Sequence, residues 1–256
     1  MPRRRTTAPT ALLLMELLLA STALVRPARA DRTPDDGPRS LAFDVYLDER
    51  PIGYQRFDLT PLPDGLAVET RARFELTLLR IKALDYDHRN RERWHHGCLQ
   101  SIDSATRQNG RTYRVSGEAG RAGFSVEGAD GRATLDACVR TFAYWDRSAL
   151  LGRARLLNAQ TGEYVPVETR ALGRGTLEIG GRALAVDRYL IEGDDLEIRL
   201  AYASGSGEWV GLDSPLFAGR TLRYRRRASD LPPTPSAAEA TAAAAGTTGA
   251  PSTGSD

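Results

Sequence analysis

The chain has 256 residues, 27% of them charged and 41% apolar, with only two cysteines. Its 35 basic and 33 acidic side chains leave a formal charge of +2, which gives no basic excess of the kind a nucleic-acid-binding chain advertises. The longest apolar run, Ala11 to Val25, is about 15 residues, short of the roughly 20 that a membrane-spanning helix needs.

Residues 1–30 read as an export signal. Arg3, Arg4 and Arg5 precede the apolar run, and Ala28-Arg29-Ala30 closes it with small residues around a cleavage point. Glu16 interrupts the run, which suits a cleaved leader better than a retained anchor, and no cysteine stands near Asp31 for lipid attachment. The expectation is a periplasmic protein with no stable transmembrane anchor after cleavage. Without residues 1–30 the chain keeps 30 basic and 32 acidic side chains, so the slight positive charge belongs to the leader. Residues 31–40, with Pro34, Gly37 and Pro38, read as a disordered linker.

From 41 onward the dominant period is two. Leu41, Phe43, Val45 and Leu47 alternate with Asp44, Tyr46 and Asp48. After the Pro63-Asp64-Gly65 turn comes a longer strand. Leu66, Val68, Thr70, Ala72, Phe74, Leu76 and Leu78 share one face, with Glu69, Arg71, Arg73 and Glu75 on the other. The next strand, Leu84 to Trp94, carries polar groups on what should be its inner face. Tyr86, His88, Asn90, Glu92 and Trp94 share that side, and Asp85, Asp87, Arg89, Arg91 and Arg93 the other. Tyr86, His88, Glu92 and Trp94 are therefore candidate ligand-lining residues, a polar handhold within an apolar interior. The competing reading pairs each polar group with a facing strand.

His95 and His96 follow, with Cys98. Neighbouring strand residues point to opposite faces, so this histidine pair does not chelate without a turn, and no metal-ligand spacing occurs. In an oxidising compartment Cys98 and Cys138 form a disulfide or leave a thiol that the nearby histidines activate. A bridge would close a loop of about 40 residues and stabilise the fold by roughly 3–4 kcal/mol.

Asn109-Gly110, Asp130-Gly131, Gly180-Gly181, Asp194-Asp195 and Gly205-Ser206-Gly207 mark further hairpins. Only Asp146 to Gly152, after Tyr144-Trp145, reads as a helical turn. Strand patterning resumes through Leu184 and Val186, then Leu196, Ile198, Leu200 and Tyr202, then Leu222 and Tyr224. Arg223, Arg225, Arg226 and Arg227 read as a solvated edge at the end of the last strand. From 229 to 256 the Pro, Ala, Thr, Ser and Gly mixture reads as a disordered tail.

These signals predict an all-β domain over 41–228, an antiparallel meander of about 12–14 strands that forms a curved sheet, half-barrel or barrel. The alternation also fits an outer-membrane barrel with its apolar face in lipid. The polar tail, standing where such a barrel ends in an aromatic strand, favours the alternative with the apolar face inside.

Several landmarks recur together: Phe43-Asp44-Val45-Tyr46-Leu47-Asp48 with Ile52-Gly53, Glu92-Arg93-Trp94 with Gly97 and Leu99, and Asn109-Gly110. Tyr144-Trp145 follows, then Leu156-Leu157-Asn158 with Thr161-Gly162, and Trp209-Val210. From about 41 to 227 the set resembles domain-of-unknown-function family six-one-three-four, exported bacterial β-rich proteins. It is also similar to a related family of envelope proteins with the same opening hairpin. The resemblance implies an exported β-sheet protein and carries over no catalytic residue. It places Glu92, Trp94, Tyr144 and Trp145 at recurring positions of the family, which adds Tyr144 and Trp145 to the candidate lining set.

No glycine-rich phosphate loop, nucleophile elbow or cofactor motif is present in the sequence. The leading expectation is a non-enzymatic binding module for a lipid-like or apolar ligand. The runner-up is an envelope assembly factor that meets a partner protein through a sheet edge. A hydrolase-like enzyme using His88 and Glu92 comes third.

Overall fold

The computed structural model describes residues 37–78, 81–216 and 219–232. The leader and the residues beyond 232 lie outside this set. The first eight strands are β1 (Arg39–Leu47), β2 (Arg50–Leu62), β3 (Gly65–Leu78), β4 (Ile81–His95), β5 (Cys98–Gln108), β6 (Arg111–Gly120), β7 (Gly123–Gly128) and β8 (Gly131–Leu135). A crossing segment, 136–167, then holds the helical turn α1 (Arg147–Leu150) and a small hairpin, β9 (Arg155–Leu157) with β10 (Tyr164–Pro166). The chain ends its strands with β11 (Glu168–Ile179), β12 (Arg182–Gly193), β13 (Leu196–Ala203), β14 (Trp209–Pro215) and β15 (Thr221–Arg226).

Thirteen of these strands make one antiparallel sheet in the order β11-β12-β13-β14-β15-β1-β2-β3-β4-β5-β6-β7-β8. The sheet does not close, since β8 and β11 remain its two edges. Register shifts at Val45/Tyr46, Leu76/Thr77, Arg93/Trp94, Ala171/Gly173 and Ala201/Tyr202 bend individual strands. Bulges of this kind tighten twist and turn a long sheet into a trough.

The sheet's concave face holds the main core. Val68, Ala72, Phe74 and Leu76 of β3 are buried there, with Phe43, Val45 and Leu59 from its neighbours. The crossing segment lies over this face and supplies Val139, Ala143, Leu150, Leu156 and Leu157 to the same cluster. It is held at both flanks: Leu99 N–H donates to the Val139 carbonyl, and the Tyr202 hydroxyl donates to the Tyr144 carbonyl. Cys98 and Cys138 are joined as a disulfide, with Cα atoms 5.0 Å apart. The bridge pins the start of the segment to β5. Asp146 caps α1 by accepting from the backbone of Ser148 and Ala149. On the opposite face, Leu184, Val186, Ala203 and Val210 form a second small cluster with Leu231.

The arginine run departs from the sequence reading. β15 is not an edge; it lies between β14 and β1. Arg223 pairs with Glu49, Arg225 with Asp213 and Arg227 with Asp44. Arg226 turns inward, buried, with its guanidinium 5.8 Å from the centre of the Phe43 ring. A chain that returns its last strand to its first makes the end of the sequence the middle of the sheet. Two boundaries also differ: β1 begins at Arg39, ahead of the expected start at 41, and Leu231, within the expected tail, packs on the second cluster.

Candidate ligand-binding site

Between the trough and the crossing segment lies a cavity of about 1130 Å³ with a mostly apolar wall. Its lining reaches the β5–β6, β12–β13 and β14–β15 turns at Asn109, Asp194 and Leu216. In a meander these turns share one end of the sheet, so the mouth is at that end. The opposite end is filled by aromatic packing: the Phe43 ring lies 3.9 Å from Trp209, which in turn meets Phe57 at 5.5 Å.

β4 builds the polar part of the wall. Its even-numbered residues point into the trough, and Tyr86, His88, Asn90, Glu92 and Trp94 are all buried. Register with β3 and β5 sets Asn90 beside Thr70 and Ser104, and His88 beside Ala72 and Thr106. Within this patch the Asn90 amide donates to Glu92 Oε1 at 2.9 Å, and the Trp94 indole N–H donates to Glu92 Oε2 at 2.9 Å. His88 Nδ1 lies 2.8 Å from the Thr106 hydroxyl. Two buried oxygens stay unpartnered, Asn90 Oδ1 and Ser104 Oγ, and the Thr141 hydroxyl lies beside the Glu92 carboxyl. Buried polar atoms without partners are rare in folded proteins, and two in one patch set it apart from the rest of the trough.

The electrostatics follow from water exclusion. Burial raises the Glu92 carboxyl above its ordinary value; the bonds from Asn90 and Trp94, with Thr141 beside them, offset part of that rise. Burial pushes the His88 imidazole down to about 4, against a weaker upward pull from Asp87. Burial also holds the Tyr86 and Tyr224 phenols well above the usual range.

All six candidate residues belong to this region, with unequal parts. Tyr86, His88 and Glu92 line the cavity, as do Tyr144 and Trp145 from the crossing segment. Trp94 lies behind the wall, where it holds Glu92 and meets the Trp145 ring edge-on at 5.4 Å. His88 and Glu92 do not converge. Four residues apart on an extended strand, their Cα atoms are about 13 Å from each other, and Thr106, the hydroxyl partner of His88, is not part of the cavity wall. His95 and His96 do meet, 4.0 Å between ring centres, because His96 has a positive φ of 47° and begins the turn before Cys98. Among the described residues no group of three His, Cys, Asp or Glu side chains is placed to hold a metal ion.

The sequence alone does not mark Ser104 and Thr141 as site residues. Counting back from the His96-Gly97 turn sets Asp103 opposite Asn90; the bulge at Arg93/Trp94 shifts the register by one and brings Ser104 there instead. Thr141 reaches the patch only through the crossing segment, which no local pattern announces.

The sequence model for the family described as Domain of unknown function (DUF6134) matches residues 43–227. The chain belongs to the DUF6134 family. No curated protein matches it. Among solved structures it is similar to a β-barrel-like protein of Domain of Unknown Function DUF1849 from Brucella abortus, with 11% identity and a TM-score of 0.54. That match covers 74% of this chain and 95% of the other, a likeness of fold alone. Within the DUF6134 domain the landmark residues have visible tasks. Asp48 accepts from Thr221 N–H and pairs with Arg220, tying the first hairpin to the last. Gly162 packs against Gly128 and lets the β9–β10 turn dock on the β7–β8 turn through the Ala129 N–H to Thr161 carbonyl bond.

Proposed function

We propose that this protein is an exported, non-enzymatic binding module whose cavity takes a lipid-like, mainly apolar molecule. The observation that carries the reading is the cavity itself: about 1130 Å³, apolar over most of its wall and open at the hairpin end. Small-molecule sites are typically clefts of about 300–1,000 Å³ with a few convergent polar groups, and this one is at or above the top of that range. A periplasmic location is supported by the leader-like residues 1–30 and by a disulfide of the kind that persists in oxidising compartments. An enzyme built on His88 and Glu92 is not supported, because the two side chains are engaged separately.

The test uses protein stripped of bound lipid and the neutral fluorophore N-phenyl-1-naphthylamine. Saturable binding at one site, lost when Leu212→Trp fills the cavity, is the expected result. Fluorescence that never saturates, or that Leu212→Trp leaves unchanged, refutes a cavity ligand. Native mass spectrometry of protein purified from its own envelope should then show a retained adduct in the lipid mass range.

A second reading, an assembly factor acting through a sheet edge, rests on β11. This strand of 12 residues has one unpaired edge and an exposed Leu172. Arg170 and Arg174 flank that leucine, and the Ala171/Gly173 bulge breaks the ladder. Charges and bulges are the devices by which edge strands resist pairing, so this reading ranks second.

A further inference from the structure

The polar patch also constrains the head of the ligand, an inference that rests on the cavity reading above. Inside the protein the Asn90 amide and the Trp94 indole both donate to Glu92. The Asn90 carbonyl oxygen is left on offer as an acceptor. Asn90 is only 5% exposed, lines the cavity and leaves Oδ1 with no partner. No arginine or lysine pairs with Glu92, whose polar neighbours are Asn90, Trp94 and Thr141. The charged side chains of the described wall point the same way. Glu92, Glu163, Asp194 and Asp195 are acidic, and the one arginine, Arg220, is engaged by Asp48.

We propose that the cavity selects an amphiphile whose head donates hydrogen bonds and carries no negative charge, a hydroxyl or an ammonium group on an aliphatic body, with that head seated on Asn90 and Glu92. A donor head would satisfy Asn90 Oδ1, and an ammonium would in addition give Glu92 a counter-charge. A carboxylate or phosphate head would bring an acceptor to the Asn90 oxygen and an anion to the acidic side chains of the wall. Unpaired buried polar groups and like charges are the strongest means by which a site rejects a near-isosteric ligand.

The experiment compares four probes of one chain length: dodecanol, dodecylamine, dodecanoate and dodecyl phosphate, each displacing N-phenyl-1-naphthylamine from the wild-type protein below its micelle concentration. The alcohol and the amine are expected to displace the dye at least about tenfold more tightly than either anion, the equivalent of about 1.4 kcal/mol. Glu92→Gln is expected to reduce the amine's advantage and spare the alcohol's, which separates the two donor heads. Equal affinity for all four probes, or tighter binding of the anions, overturns the head-group selection and leaves the cavity reading intact. Failure of every probe and of the dye itself overturns the cavity reading and the selection with it. Because the comparison is made on the wild-type chain, it stands whether or not the Glu92 variant folds.

Discussion

Exclusion of water displaces His88 and Glu92 in opposite directions, and the two shifts should partly offset one another. Burial takes the imidazole from 6.5 down to about 4 and lifts the carboxyl above 4.5. Between pH 4.5 and 6.5 the unfolded chain has a protonated His88 and an ionised Glu92, whereas the folded chain has a neutral His88 and a Glu92 that keeps its proton to higher pH than the unfolded chain does. The two groups therefore change stability with pH in opposite directions, and the slope of one offsets part of the slope of the other. Substitution separates them. With Glu92→Gln only the His88 shift is left; the unfolded state holds the extra proton, so the His88 contribution to stability rises with pH, by about 3 kcal/mol between pH 4 and 6.5. With His88→Gln the folded state holds the extra proton. The Glu92 contribution is then complete below pH 4.5 and is lost as pH rises through the folded carboxyl value. Urea denaturation at half-unit steps from pH 4 to 7, taken as differences from the double variant, cancels the background of the other carboxylates. Opposite slopes in the two single variants are expected. Slopes of the same sign, or no slope with Glu92→Gln, would refute the buried state of the pair.

Replacing both Cys98 and Cys138 with serine releases a loop spanning 40 residues. On the chain-entropy relation it should lower the free energy of unfolding by about 4 kcal/mol, measured by the same denaturation. Gly53→Ala places a Cβ 1.8 Å from the Arg73 carbonyl oxygen at a φ of 155°. It should destabilise by more than about 1 kcal/mol, read as a drop in urea midpoint with the m-value unchanged. The Asp48 carboxyl should titrate below the ordinary aspartate value by NMR, chiefly through the Thr221 N–H and further through Arg220. Arg220→Ala should therefore return it only part of the way.

The trough was readable because period-two alternation survives wherever one face meets water. Val68, Phe74 and Leu76 against Glu69, Arg73 and Glu75 mark the apolar face, and the structure turns that face inward. The hairpin ends were readable for a different reason. Asn109 has a positive φ of 48°, next to Gly110 at 83°, and few other residue pairs tolerate that geometry. The inner face of β4 was legible as a polar row by the same alternation. What stayed hidden depends on contacts distant in sequence. The pairing of Phe43 with Arg226 that buries an arginine has no local cue. The crossing segment has only short, irregular elements, so its place over the trough, and Thr141 with it, is set by tertiary packing of Leu150, Leu156 and Leu157. The one-residue slip at Arg93/Trp94 decides which serine joins the patch, and bulges leave no consistent mark in sequence.

Strand β1 bonds on one side to β2, its immediate successor, and on the other to β15, with Leu47 facing Leu222. A polypeptide emerging from its N-terminus therefore has a bare inner seam until nearly the whole domain has been made. Ordering such distant partners costs loop entropy before any reward arrives, which slows folding. Completion waits for the last strand to zip against the first, so every shorter translation product presents a sticky ladder to its surroundings.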